Sequence, residues 1–229
     1  MLFAPGQPWF ADALELAQLR RQDRVLALFA DTQQTGALAQ LVGKDGKVTI
    51  VQPDLAIAEE VAALGLGNVE VLGNRVVGTE RFGTFDALVC APLADPHLPL
   101  GAYAELPRRN LRPGGRLAID LPAPRMLPQV QKAAGELGWP ESRLANFAGP
   151  ADDVLADALR NAGLRRVRGL LGSHLIHVPS APDFVDLLAP ALGLSAAERL
   201  ELDDALRRQA GTAGAAEFLV HRTRLEGLR

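Results

Sequence analysis

The stretch from Arg24 to Asp54, RVLALFADTQQTGALAQLVGKDGKVTIVQPD, constrains the fold more than any other. A short apolar run, Val25 to Ala30, gives way to polar residues and then to a helix-compatible segment from Thr35 to Val42. A Lys-Asp-Gly turn and a β-branched run from Val48 to Val51 follow. Short apolar runs bounded by turn chemistry read as buried strands, and the segment between them reads as a covering helix. The pattern is a βαβ unit, so the two strands are expected to lie parallel in one sheet. In such units the first strand-to-helix turn and the end of the second strand hold nucleotide-like ligands. Helix-start N–H groups and an acid face the ligand there.

The alternation continues downstream. A helix is expected before the unit, from Trp9 to Arg21. Another is expected from Asp54 to Leu64, capped by Asp54 and stopped by Gly65 and Gly67. A third strand, Val69 to Leu72, leads through a short connection, Arg75 to Thr84, into FDALVCAPL at Phe85 to Leu93. Tyr103 to Leu111 reads as a helix ending in an Arg-Pro-Gly-Gly turn, with a fifth strand from Arg116 to Leu121. Helices follow at Met126 to Leu137 and Asp152 to Ala162, separated by an irregular segment, Gly138 to Pro150. The sixth strand is expected at Leu164 to Leu171. Two helices, Pro182 to Leu192 and Ser195 to Gln209, come next, the second opened by a Ser195–Glu198 capping box. Glu217 to Arg222 suits a seventh strand, and Arg224 to Arg229 reads as a tail.

In this order the opening unit, Phe85 to Leu93, LRPGGRLAIDL at Leu111 to Leu121 and Asp152 to Arg168 resemble a class I S-adenosylmethionine-dependent methyltransferase. The likeness runs from about Trp9 to Arg222. It implies an α/β, Rossmann-like seven-stranded methyltransferase fold: a mostly parallel sheet, helices on both faces and an antiparallel edge strand. It also implies a single domain over 1–229, with an amino-terminal arm and helix at 1–23 and a helical insertion at 179–214.

Family members carry an acid in the first strand and then a Gly-x-Gly-x-Gly loop. The resemblance sets Ala27 at the acid and Phe29, Asp31 and Gln33 at the three glycines. Glycine serves there because a residue without Cβ tolerates positive φ and lets backbone approach a ligand. The acid that grips the ribose hydroxyls becomes Gln52, which donates and accepts hydrogen bonds without charge. Asn74 stands where an adenine contact is expected, although Asn after Gly is also ordinary turn chemistry. Phe29, Asp31, Gln33, Gln52 and Asn74 therefore read as a vestigial cofactor site. The leading expectation is a non-catalytic protein without a cofactor, acting through a protein partner or as a homo-oligomer. The alternative is an active S-adenosylmethionine-dependent transferase of a small molecule, with an atypical loop. A third reading gives the cleft a different ligand, held by Asp31, Gln33 and Gln52.

Catalytic groups in this family commonly follow the fourth strand, where Asp95 and His97 form a weak acid–base candidate beside two prolines. Cys90 is the only cysteine; it excludes an internal disulfide and reads as a buried thiol in an apolar strand. His174 and His177 share a face only if their segment is helical, and no third ligand stands near, so no metal is expected. Arg108, Arg109 and Arg112 read as a solvated basic face. A net charge of −3 over 229 residues argues against a nucleic-acid surface. No apolar run is long enough for a membrane span, and the start lacks a secretory pattern, so a cytoplasmic location is expected.

Overall fold

The computed structural model describes residues 8–92, 98–178, 180–210 and 216–229. The opening unit forms as expected: β1 (Arg24–Leu28), α2 (Thr32–Val42) and β2 (Lys47–Val51), preceded by α1 (Pro8–Ala17). β1 and β2 pair in parallel from Arg24–Lys47 to Leu28–Val51. Then come α3 (Leu55–Ala62), β3 (Val69–Leu72), β4 (Phe85–Cys90), α4 (Leu100–Asn110) and β5 (Leu111–Pro122). The chain closes with α5 (Pro128–Glu136), a 3-10 turn (Glu141–Phe147), α6 (Asp152–Asn161), β6 (Arg165–Val178), α7 (Ala181–Leu192), α8 (Ala196–Ala210) and β7 (Ala216–Leu228).

The seven strands form one sheet in the order β3-β2-β1-β4-β5-β7-β6. The first five are parallel, and β7 runs antiparallel to both neighbours. The final pair is antiparallel, as expected, but β7 lies one place in from the edge and β6 takes the edge itself. Alternation along the strands sorts the core onto two faces. Val25, Ala27, Val89 and Ala118 face Phe10, Ala13 and Ala17 of α1 together with Leu38 and Val42 of α2. Leu26, Leu88, Leu117 and Ile119 face Tyr103 and Leu106 of α4 and Leu155 and Leu159 of α6. A third cluster joins α5, α7 and α8 to β7, with the Phe184 and Phe218 rings stacked 3.8 Å apart.

Around β5, β6 and β7 the structure differs further from the sequence reading. The Arg112-Pro113-Gly114-Gly115 segment belongs to β5, with Gly114 in the left-handed region at φ 75°. The supposed tail is strand: β7 continues to Leu228, paired along β5 from Pro122–Arg222 to Arg116–Leu228. β6 likewise continues through Ser173-His174-Leu175-Ile176-His177, because cross-strand pairing extends short β signals that look indecisive in isolation. The Ser195–Glu198 capping box forms, with Ser195 N–H and Oγ donating to Glu198 Oε2 at 2.8 and 2.7 Å. Arg143 adds a salt bridge at 2.7 Å. With these partners, Arg143 foremost, the Glu198 carboxyl is held down to about 2.

Candidate functional site

In an open parallel sheet, ligands meet the carboxyl ends of the strands where the strand order reverses. Here that place is the turn from β1 to α2, beside the ends of β2 and β4. The turn is three residues long, Phe29 to Asp31, because α2 starts at Thr32 rather than Thr35. Phe29 holds φ 60°, a left-handed conformation that non-glycine residues rarely adopt. The residue set at the loop's first glycine by the resemblance thus takes a glycine-like conformation, with Phe29 N–H donating to Val51 O at 2.9 Å. The Phe29 ring is half-buried and packs against the α4 and α6 face of the core, a cluster that Leu72, Phe82 and Leu98 also join.

Asp31 caps α2, its Oδ1 accepting from Gln34 N–H at 2.8 Å. Gln33 points to solvent. Gln34, which the sequence reading passed over, is buried and donates Nε2 to Ala91 O at 3.0 Å, tying the start of α2 to the end of β4. Gln52 is 4% exposed; its Nε2 donates to Ala30 O at 3.3 Å and its Oε1 accepts from Asp54 N–H at 3.2 Å. Asp54 caps α3 as expected, accepting from the Ala56 and Ile57 N–H groups. Asn74 is exposed in the loop after β3. Asp95 and His97 lie outside the described residues.

These residues meet an adenosyl cofactor's needs unevenly. The Phe29–Asp31 backbone makes a tight turn into α2, and the buried Thr35 hydroxyl in the first turn of α2 has no hydrogen-bond partner among the described residues. Such an orphan calls for a water or ligand. The acid anchors are absent: Ala27 has no carboxylate, Asp31 is occupied as a cap, and Gln52 is turned onto Ala30 O.

A second polar assembly lies beneath the same loops and was missed from sequence. Arg222 of β7 is fully buried, its Nε donating to Asp120 Oδ1 at 2.7 Å and its guanidinium reaching the Asp120 and Pro92 carbonyls, each at 2.6 Å. Arg224 donates Nε to Asp120 Oδ2 at 3.2 Å and continues to Asp12 of α1 and His174 of β6. Burial pushes the Asp120 carboxyl up, opposed by Arg222 and then Arg224. Burial first and the Arg224 charge second hold His174 below its usual value. A lone acid inside the apolar run LAIDLP was the available signal.

The remaining candidates resolve as structural groups. His174 and His177 stand on an extended strand; His177 meets Glu217 at 3.2 Å on the surface. Among the described residues no group of three or more His, Cys, Asp or Glu side chains converges as a metal site. Nor, among them, is any helix long and apolar enough to cross a membrane. Cys90 is buried. The basic cluster is paired with acids, Arg108 and Arg109 with Glu105 and Arg112 with Asp86. The segment after β5 walls a groove of about 610 Å³ lined by Arg125, Lys132, Trp139 and Leu144.

No protein-family model matches the chain. Over 207 residues it is 31% identical to nocamycin O-methyltransferase of Saccharothrix syringae, a match covering 90% of this chain and 66% of that protein. The chain thus spans just under two thirds of that relative's length. A candidate methyltransferase from Bacillus halodurans C-125 superposes with a TM-score of 0.68 at 16% identity, over 97% of this chain and 99% of that one. The YcgJ protein of Bacillus subtilis does so at 0.67 and 15% identity, over 98% and 99%. At these identities the structural likeness is one of fold.

Proposed function

We propose, from its 31% identity to an O-methyltransferase and from its fold, that the chain is a class I S-adenosylmethionine-dependent methyltransferase that methylates a small molecule through an atypical cofactor loop. The observation that supports this reading is the left-handed backbone at Phe29, a glycine-like conformation held at some conformational cost where the resemblance sets a glycine. When bound, S-adenosylmethionine would supply an electrophilic methyl group on a sulfonium. The turn backbone from Phe29 to Asp31 would hold it, and Gln52 would offer a neutral donor and acceptor in place of the ribose-gripping acid. The relative at 31% identity is by name an O-methyltransferase, so a hydroxyl oxygen is the proposed acceptor.

Titration calorimetry with S-adenosylmethionine and S-adenosylhomocysteine tests the proposal on protein shown to be free of co-purified cofactor. Micromolar binding is expected; none up to millimolar concentration overturns it. A second reading, a cofactor-free scaffold that binds another protein, would then lead. It is favoured by the internal satisfaction of the site, where Gln34 is tied to Ala91, Gln52 to Ala30, and Phe29 is packed against the core.

A further inference from the structure

The sheet ends in a strand with little of the protection that such edges normally have. β6 runs 14 residues and, among the described residues, pairs with β7 alone, so the backbone groups along its outer side meet no strand. Edge strands are usually kept from pairing by charge, proline, bulges or brevity. Here those devices gather at the first residues: Arg165, Arg166 and Arg168, a register shift between Arg165 and Arg168, and a left-handed Arg166. From Gly169 to Val178, GLLGSHLIHV contains no lysine, arginine, acid or proline. Leu170 and Leu171 are each 60% exposed and Leu175 is 50% exposed, with Ile176 half-buried beside them.

We propose that β6 is a self-association edge, onto which a second copy of this chain adds antiparallel about a two-fold axis through Ser173. Pairing within the sheet puts Leu170 and Ile176 on one face, opposite Arg224 and Phe218, and Leu171 and Leu175 on the other, opposite Thr223 and Leu219. An antiparallel partner that preserves these faces can be centred on only a few residues. Centred on Ser173, Leu171 meets the copy's Leu175 and Leu170 meets its Ile176, and each pair recurs by symmetry. Centred on Gly172, Leu171 meets Ser173 and Leu170 meets His174. Centred on His174, Leu175 meets Ser173 and Leu171 meets His177. Of these three centres, Ser173 alone sets apolar against apolar on both faces. Charge agrees with this orientation: the arginines at the start of β6 are directed toward the copy's α7, where Asp183 is exposed, and away from the copy's own arginines.

Sedimentation of the full chain from about 1 to 100 µM should show the mass rising from 24.4 kDa toward twice that value. Leu171→Lys should weaken association by about tenfold or more while circular dichroism shows an intact fold; should it fail to fold, Leu175→Lys takes its place. Under mild oxidation Ser173→Cys should give a covalent dimer, since directly opposed residues lie within disulfide reach. Leu171→Cys alone should not, because its copy lies four residues along the strand, whereas a mixture of Leu171→Cys and Leu175→Cys chains should. The native Cys90 is buried and stays outside this chemistry. A monomer throughout the range, association indifferent to the lysine variants, or cross-linking by Leu171→Cys alone overturns the proposal.

Discussion

Replacing Asp120 by asparagine takes a carboxylate out of a buried ion pair at the seam between β5 and β7. Arg222 is 0% exposed, and an amide in place of the Asp120 carboxylate would leave its bonds to the Asp120 and Pro92 carbonyls intact while removing the carboxylate charge beside it. Breaking a buried pair from one side costs about 3–5 kcal/mol, because the guanidinium loses the Asp120 carboxylate without regaining water. Arg222→Met attacks the same pair from the other side and should cost less. Asp120 keeps Arg224 on Oδ2 at 3.2 Å, and a carboxyl that burial already pushes up takes a proton readily. The Asp120 and Pro92 carbonyls each lose the Arg222 donor, and under-satisfied carbonyls are tolerated better than isolated charges, so the cost should be about 2 kcal/mol. At about 2–4 °C per kcal/mol for a chain of this size, the melting temperature should fall by roughly 6–20 °C for Asp120→Asn and roughly 4–8 °C for Arg222→Met. Urea denaturation followed by circular dichroism measures both, together with the double variant, which should cost less than the sum. The reasoning fails if Arg222→Met is as damaging as Asp120→Asn, or if the two costs add within about 0.5 kcal/mol.

Two further changes probe the neighbouring groups. Phe29→Gly relieves a left-handed backbone worth about 1–2 kcal/mol and loses the packing of a half-buried ring, so stability should move by about 1 kcal/mol or less while S-adenosylmethionine affinity holds or rises. A folded variant with weaker binding would contradict the proposed cofactor cradle. His174 sits below its ordinary pKa, so the unfolded chain takes up a proton at higher pH than the folded one, and stability should fall as pH drops through about 6.5. His174→Gln should flatten that slope between pH 7 and 5 in urea titrations; an unchanged slope would assign the dependence to other groups.

Much of the fold was legible because the strands of a buried parallel sheet are short apolar runs separated by turn chemistry. Val25 to Ala30, Val48 to Val51 and Phe85 to Leu93 announced themselves in this way. The carboxyl-terminal pair was harder to read. β6 and β7 are long because each pairs with the other, and the segments around His174 and Arg224 have no strong strand pattern when read alone. The site divided along the same line. Substitution of the glycine loop could be read from residue types, but the left-handed bend at Phe29 could not, since φ is set by the surrounding packing and hydrogen bonds. Gln34, Asp120 and Arg222 were missed because their roles join positions 57, 102 and 130 residues apart.

Those long-range bonds bear on what the cleft can do. Gln34 grips Ala91 O and Arg222 grips Pro92 O, so the exit of β4 is held from both the α2 side and the β7 side before any ligand arrives. Backbone held in this way at Ala91 and Pro92 loses little conformational freedom on binding, which favours affinity. Gln52 acts in the opposite direction: to contact a ribose it must give up its bond to Ala30 O, and its amide carries no charge to offset that exchange. Binding of an adenosyl ligand should therefore draw mainly on the backbone cradle and the preset β4 exit, with a smaller contribution from the ribose than an acid at position 52 would give. Gln52→Glu separates the two contributions: if the ribose contact limits affinity, the acid should tighten S-adenosylhomocysteine binding. If affinity falls instead while the fold is intact, the amide bond to Ala30 O is what shapes the site.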